Sequence, residues 1–288
     1  HNPETTGIER TRLNRVNNAG PCTHIFHGSA TMVYSELDGP QGADGWTFVL
    51  VHGIGMGRAV FADLAVALAA HGRVFGIDLP GFGDSPQPEQ RLTMPQAGDL
   101  LAEWMKDVLP GARETNGRGA HGNGRIVVVG HSMGTEVVAE AVVRHPGIAD
   151  VAILIAPTIN SAERSVRMQL IRMVQDLSDE SPKVLVKGLI QYLKASPLWM
   201  VRVLRDMLEH RIEETVEKID VPILVMRGSE DAVCPREWVQ EIARRTAGAE
   251  YGEAIGRGHE AMIRCAHPVA EMILSFLGRV PLSTSPSA

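Results

Sequence analysis

The stretch VVVGHSMGTEVV, residues 127–138, joins a run of valines to an apolar-striped helix through only five residues, Gly130-His131-Ser132-Met133-Gly134. Residues 126–129 read as a short strand covered on both faces, and residues 135–144 as a helix that begins with almost no linker. A serine on so sharp a turn stands above the sheet edge, and its flanking glycines admit neighbouring backbone that a side chain would obstruct. The alternative is that Ser132 simply caps the helix, a common role for this residue type. The strand-turn-helix context favours the nucleophile.

Outward from this turn the chain alternates. Strands are expected at 30–37, Trp46–Val51, 73–77, 126–129, 151–156 and 221–226, and helices at 59–70, 95–108 and 135–144. That order implies an α/β fold: a mostly parallel central sheet flanked by helices. Residues 1–29 read as a loose polar arm, 30–158 and 219–279 as the core, 159–218 as an inserted helical cap, and 280–288 as a tail. The Gly-rich segment GARETNGRGAHGNG reads as an exposed connection, and its His121 has no partner at metal-binding spacing.

Composition excludes several classes. The chain has 288 residues, 44% hydrophobic and 22% charged, with a formal net charge of -6. These values suit a globular protein, and without a Lys/Arg block there is no footprint for nucleic acid. Cys22, Cys234 and Cys265 are scattered and odd in number, which argues against a disulfide framework and fits a reducing, cytoplasmic compartment. No apolar run reaches the length of a membrane span, and the start HNPETTGIER carries no signal-peptide hydrophobic region. Because the sequence begins with His1, an earlier targeting segment stays open.

A serine hydroxyl needs a base, and the base needs an orienting group. VPILVMRGSEDAVCP, residues 221–235, ends an apolar strand in Glu230 and Asp231; YGEAIGRGHEAMI, residues 251–263, presents a glycine-flanked His259. Asp231 is taken as the acid, with Glu230 as the substitute, and His259 as the base. The alternatives are an ordinary turn aspartate and a surface or capping histidine. His131 is expected to pack under neighbouring loops, and Asp78 to hold its own loop by hydrogen bonds.

VLVHGIGMGRAVF, residues 49–61, supplies three glycines directly after a strand. Its spacing completes neither a dinucleotide fingerprint nor a phosphate loop. Acyl transfer builds charge on a carbonyl oxygen, and fixed N–H donors stabilise it. The N–H groups of Ile54 and Met133 are the expected oxyanion donors. His52, Gly53 and Gly55 are the supporting loop, with the His52 ring fixing it.

VLVHGIG, IDLPGFGDS, GHSMG, GSEDAVCP and GRGHE together resemble the motifs of the α/β-hydrolase fold family, over essentially residues 30–279. The resemblance implies a Ser132, His259, Asp231 triad with an oxyanion hole at Ile54 and Met133, and no metal or organic cofactor. It leaves the substrate open.

The segment 159–218 is too long for a simple connection. Apolar residues recur at helical spacing at Met168, Ile171 and Val174, at Leu185, Leu189 and Leu193, and at Val203, Met207 and Leu208, with breaks at Pro182 and Pro197. Trp199, Met200 and Met207 are the expected substrate-binding residues, and they favour a small-molecule apolar or aromatic ester. The leading expectation is therefore a serine esterase working through an acyl-enzyme on a small-to-medium ester. The rival is a carbon-carbon bond hydrolase of a vinylogous diketone acid, which needs a cation such as Arg164, Arg167 or Arg172 for the substrate carboxylate. A non-enzymatic receptor or scaffold has no use for Ser, Asp and His together. Oligomeric state is not legible.

Overall fold

The protein is described by a computed structural model over residues 21–25, 30–37, 45–109, 125–165, 167–169, 196–256, 258–264 and 266–281. Apolar residues dominate β3 (Trp46–Val51), β5 (Arg125–His131) and β6 (Val151–Ile155), and every residue of β3 and β6 is buried. Such runs suit strands covered on both faces. The other strands are β1 (Cys22–Ile25), β2 (Thr31–Leu37), β4 (Gly72–Asp78), β7 (Ile223–Gly228) and β8 (Glu250–Ala254). They form one eight-stranded sheet in the order β1-β2-β4-β3-β5-β6-β7-β8. From β4 to β8 all neighbours are parallel, while β1 and β2 add an antiparallel edge.

The helices follow the strands. They are α1 (Ala62–Ala69), α2 (Met94–Val108), α3 (Met133–Arg144), α4 (Pro197–Glu209), the single turn α5 (Ile212–Thr215), α6 (Arg236–Arg245), the turn α7 (Ala261–Arg264) and α8 (Ala266–Leu277). Helix α2 starts where its sequence dictates. Thr93 and Gln96 form a capping box, with Pro95 in the first turn, where its missing N–H is not needed. Helix α3 is buried from Met133 to Val142, so it is a core element rather than a surface one.

Two differences from the sequence reading stand out. Cys22–Ile25, assigned to the loose arm, pairs with β2 in register Cys22↔Tyr34, because four residues with a β-branched Thr23 suffice for an edge strand. The helix expected from residue 59 begins later: Arg58–Phe61 is a tight 3-10 turn, and the α-helix starts at Ala62. The expected helical positions Ile171, Val174, Leu185, Leu189 and Leu193, and also Arg172 and His121, lie outside the described residues.

Helix α4 belongs to the segment between β6 and β7. Trp199, Val203 and Met207 form its buried stripe at helical spacing. Gly81 in the loop after β4 lies directly against the Trp199 indole; a Cβ there would stand 2.2 Å from Nε1. Arg91 in the same connection pairs with the buried Asp206 of α4 at 2.7 Å. Helix α4 therefore docks on the connection that follows the carboxyl end of β4.

Candidate active site

Strand β5 runs straight into Ser132, which has φ 52° and ψ -120°. For a non-glycine residue this left-handed backbone is strained, and such strain persists only where the surroundings enforce it. They do so here. The Ser132 N–H donates to the Ile155 carbonyl at 3.0 Å, and the Ser132 carbonyl accepts the Thr135 hydroxyl at 2.6 Å. A Cβ on Gly130 would lie 2.4 Å from the Gly134 carbonyl oxygen, and one on Gly134 would lie 2.2 Å from that of Val51. Both positions require glycine on grounds of space alone. Ser132 precedes α3 but makes no side-chain capping hydrogen bond, so the capping alternative is excluded.

The acid turn follows β7. Asp231 is buried, and its Oδ1 accepts the backbone N–H groups of Val233 and Cys234, each at 2.8 Å. Its Oδ2 lies 3.0 Å from Nδ1 of His259. Glu230, the substitute, is exposed. Arg227, which the sequence reading did not single out, is only 4% exposed and donates to the carbonyls of Asp231 at 2.7 Å and Cys234 at 2.8 Å. It also pairs with Glu253. Burial alone would raise the Glu253 carboxyl, but Tyr251, Arg227 and Arg236 outweigh it and hold the pKa at about 2. The charge that clamps the acid turn is thus itself neutralised by a neighbouring strand. An arginine directly after an apolar strand and before an acidic turn was the available signal.

His259 is fixed from a second side by His131. The buried His131 ring lies 4.9 Å from the His259 ring, and its Nε2 is 2.9 Å from the His259 carbonyl. Burial, and then the neighbouring His259, push the His131 pKa well below its usual value, so it stays neutral and donates through Nε2.

The loop after β3 closes over the serine. A Cβ on Gly53 would be 3.0 Å from the Ser132 Cβ, Gly55 has φ 73°, and Ile54 lies between them, half-buried. The fully buried His52 bridges two loops: Nδ1 donates to the Gly53 carbonyl at 2.7 Å, and Nε2 accepts the Leu79 N–H at 3.0 Å. Burial lowers its pKa, so the neutral tautomer with both bonds persists. Met133 is the first residue of α3, where N–H groups have no partner within the helix. Asp78, buried at the end of β4, accepts the N–H of Arg58 at 2.5 Å and of Asp84 at 2.9 Å, and pairs with the Arg58 guanidinium. It organises loops.

Of the expected cap residues, Trp199 and Met207 are buried and Met200 is half-buried. Arg164 is committed elsewhere. Its guanidinium reaches Glu213 at 2.7 Å and the carbonyls of Leu208 and His210. Arg167 is exposed.

A buried ionic cluster ties the cap segment to α3. His210, between α4 and α5, stands 2.9 Å from Glu136 through Nδ1 and 2.7 Å from Glu140 through Nε2. Thr215 donates to Glu140 at 2.9 Å. Burial alone would lower the His210 pKa, but the two carboxylates outweigh it and lift it to about 9. Burial pushes Glu136 up to about 7 despite His210. The native state therefore holds protons that the unfolded chain releases earlier. Linked stability is expected to fall as pH rises, first for Glu136 from about 4.5 to about 7, then for His210 from about 6.5 to about 9. His210→Ala leaves the Glu140 carboxylate without its cation and Glu136 without its partner, and is expected to destabilise by about 3–5 kcal/mol at pH 6. Urea unfolding of both proteins at pH 6 and pH 9.5 checks this, with the difference shrinking at the higher pH.

Asp231, Cys234 and His259 are the group of potential metal-ligating side chains gathered among the described residues. No helix among those residues is long and apolar enough to cross a membrane.

Comparison with known proteins agrees with this architecture. The chain is 28% identical over 219 residues to a pimeloyl-(acyl-carrier protein) methyl ester esterase of Pseudoalteromonas atlantica, covering 66% of this chain and 78% of that one. It is 24% identical over 263 residues to the 2-hydroxy-6-oxo-6-(2'-aminophenyl)hexa-2,4-dienoic acid hydrolase of Metapseudomonas resinovorans, covering 83% and 86%. A thermophilic esterase from Thermogutta terrifontis shares the fold with a TM-score of 0.72 at 20% identity, over 90% of this chain and 98% of that one. Residues 48–272 match the alpha/beta hydrolase family. With a parallel sheet, a strained serine elbow and a helical insertion all in place, the chain belongs to the α/β-hydrolase family and is a hydrolytic enzyme acting on an ester or related carbonyl substrate.

Proposed function

We propose that this enzyme is a serine hydrolase that cleaves a small-to-medium, largely apolar carboxylic ester through an acyl-enzyme. The observations that carry the reading are the 3.0 Å contact between His259 Nδ1 and the buried Asp231 and, on the turn after β5, a strained serine that makes no capping hydrogen bond. In this reading Asp231 holds the Nδ1–H tautomer of His259, leaving Nε2 to accept the Ser132 proton. Ser132 Oγ attacks the carbonyl carbon, and the N–H groups of Ile54 and Met133 stabilise the oxyanion. The alcohol leaves with the proton from His259. Water, activated by the same imidazole, then releases the acid and restores Ser132.

The apolar side chains of α4 support a neutral acyl or alcohol group, which gains roughly 25 cal/mol per Å² of apolar surface buried. A methyl ester of an acyl chain, the bond named for several of the relatives, falls in this class. The carbon-carbon reading draws on the Metapseudomonas resinovorans relative and requires a cation for the substrate carboxylate. Arg164 is already paired with Glu213, which favours the ester. Parallel kinetics on neutral aryl esters of increasing acyl length and on a vinylogous diketone acid test the choice. Higher kcat/KM for the esters is expected, and a much higher value for the acid overturns it.

A further inference from the structure

We propose that Asp231, Cys234 and His259 form a binding site for a thiophilic divalent cation such as Zn2+, and that its occupation switches the enzyme off. The three donor atoms, carboxylate oxygen, thiol sulfur and imidazole nitrogen, all lie within 4.8 Å of one another. Nδ1 of His259 is 3.0 Å from Asp231 Oδ2 and 3.9 Å from Cys234 Sγ. Tetrahedral Zn2+ bonds of about 2.0–2.3 Å place neighbouring donors roughly 3.3–3.6 Å apart, so shifts of about 1 Å close the site. Two of the ligands are already set by one turn. The N–H groups of Val233 and Cys234 fix Asp231 Oδ1, and Arg227 holds the carbonyls of Asp231 and Cys234. The third arrives on the loop held by His131. The donor set of one thiolate, one imidazole and one carboxylate suits Zn2+, and it disfavours Mg2+ and Ca2+, which take oxygen.

The proton balance explains why binding inhibits. In the metal-free enzyme the Cys234 thiol donates to the Pro157 carbonyl at 3.3 Å. A cation takes the thiolate, so one proton leaves to solvent. It also takes the lone pair at His259 Nδ1, which moves the ring proton to Nε2 without net release. The imidazole then presents an N–H to Ser132 where it must present a lone pair, and it loses Asp231 as its orienting partner. One proton is released on binding, so affinity rises with pH. The side chain of His259 is 11% exposed and that of Asp231 is fully buried, so the cation enters past the imidazole.

The effect on turnover rests on the proposed role of His259, whereas binding does not. The experiment therefore uses two readouts. Co2+ added to the full chain is expected to give a thiolate-to-cobalt charge-transfer band in the near ultraviolet, bleached by Zn2+. Zn2+ is expected to inhibit ester turnover reversibly, more tightly as pH rises, with recovery on adding a chelator. Cys234→Ser, its inhibition measured against its own metal-free rate, is expected to lose the band and weaken inhibition by more than the roughly 10–100-fold that an outer-shell partner is worth. Cys234→Ala serves if the serine variant misfolds, with thermal unfolding as the check. No band in the wild type, or a band and inhibition unchanged in both variants, overturns the site. An active Ser132→Ala enzyme would sink the serine mechanism while the cobalt band still judged the site.

Discussion

Ser132→Ala is expected to lower kcat for a neutral aryl ester by on the order of 10^6-fold, with the fold intact. The size follows from the unit that the residue completes: without the hydroxyl, the base and acid have nothing to activate, and only binding and the oxyanion donors remain. The fold should survive because Ser132 holds the turn through its backbone. Its N–H reaches the Ile155 carbonyl and its own carbonyl takes two donors from Thr135, all of which alanine keeps. Alanine at φ 52° is no worse than serine there in steric terms. Phosphonate labelling followed by peptide mass analysis gives the independent check: the adduct belongs on Ser132. Labelling elsewhere, or residual activity within a few per cent of wild type, refutes the nucleophile.

Asp231→Asn is expected to lower kcat by on the order of 10^4-fold. The backbone dictates how the amide must sit. Asp231 Oδ1 accepts two N–H groups, from Val233 and Cys234, so the amide oxygen of asparagine stays on that side. The amide NH2 then faces His259 Nδ1 and needs an acceptor there. Imidazole satisfies it only by moving its proton to Nε2, the nitrogen that must accept from Ser132. Glu230→Gln touches an exposed side chain and is expected to leave kcat near wild type. A larger loss in the Glu230 variant would exchange the two roles.

These residues differ in how visible they were in the sequence. Ser132 was legible because its glycines are required sterically: the backbone of Val51 and the turn at Gly134 leave no room for a Cβ. The parallel sheet was legible for a related reason, since runs such as VAILI suit only strands covered on both faces. Asp231 was preferred and Glu230 kept as its substitute, because pattern does not show which of two adjacent side chains turns inward toward His259. Arg227 could be marked only by its position at the end of an apolar strand before an acidic turn, because the carbonyls it holds leave no mark on sequence and Glu253 lies twenty-six residues on. The His210 cluster joins residues about seventy positions apart, and neither acid pairs locally with it. Arg164 entered only the rival reading, as a candidate cation for a substrate carboxylate, because Glu213, forty-nine residues on, was not visible as its partner.

The helical insertion leaves the sheet after Ile155 and returns at Ile223, and these two strands are hydrogen-bonded neighbours, with Ala152 opposite Ile223. The two ends of the excursion are therefore held together by the sheet itself. Closing a chain whose ends are already fixed depends only logarithmically on its length: doubling it adds about 0.6 kcal/mol. Extra turns of helix between these strands thus change the shape of the cover at little thermodynamic expense to the sheet beneath. Residues on β5, β7 and the loop after β8 can keep one hydrolytic geometry while the intervening segment drifts in length and composition, so substrate range is free to diverge faster than chemistry.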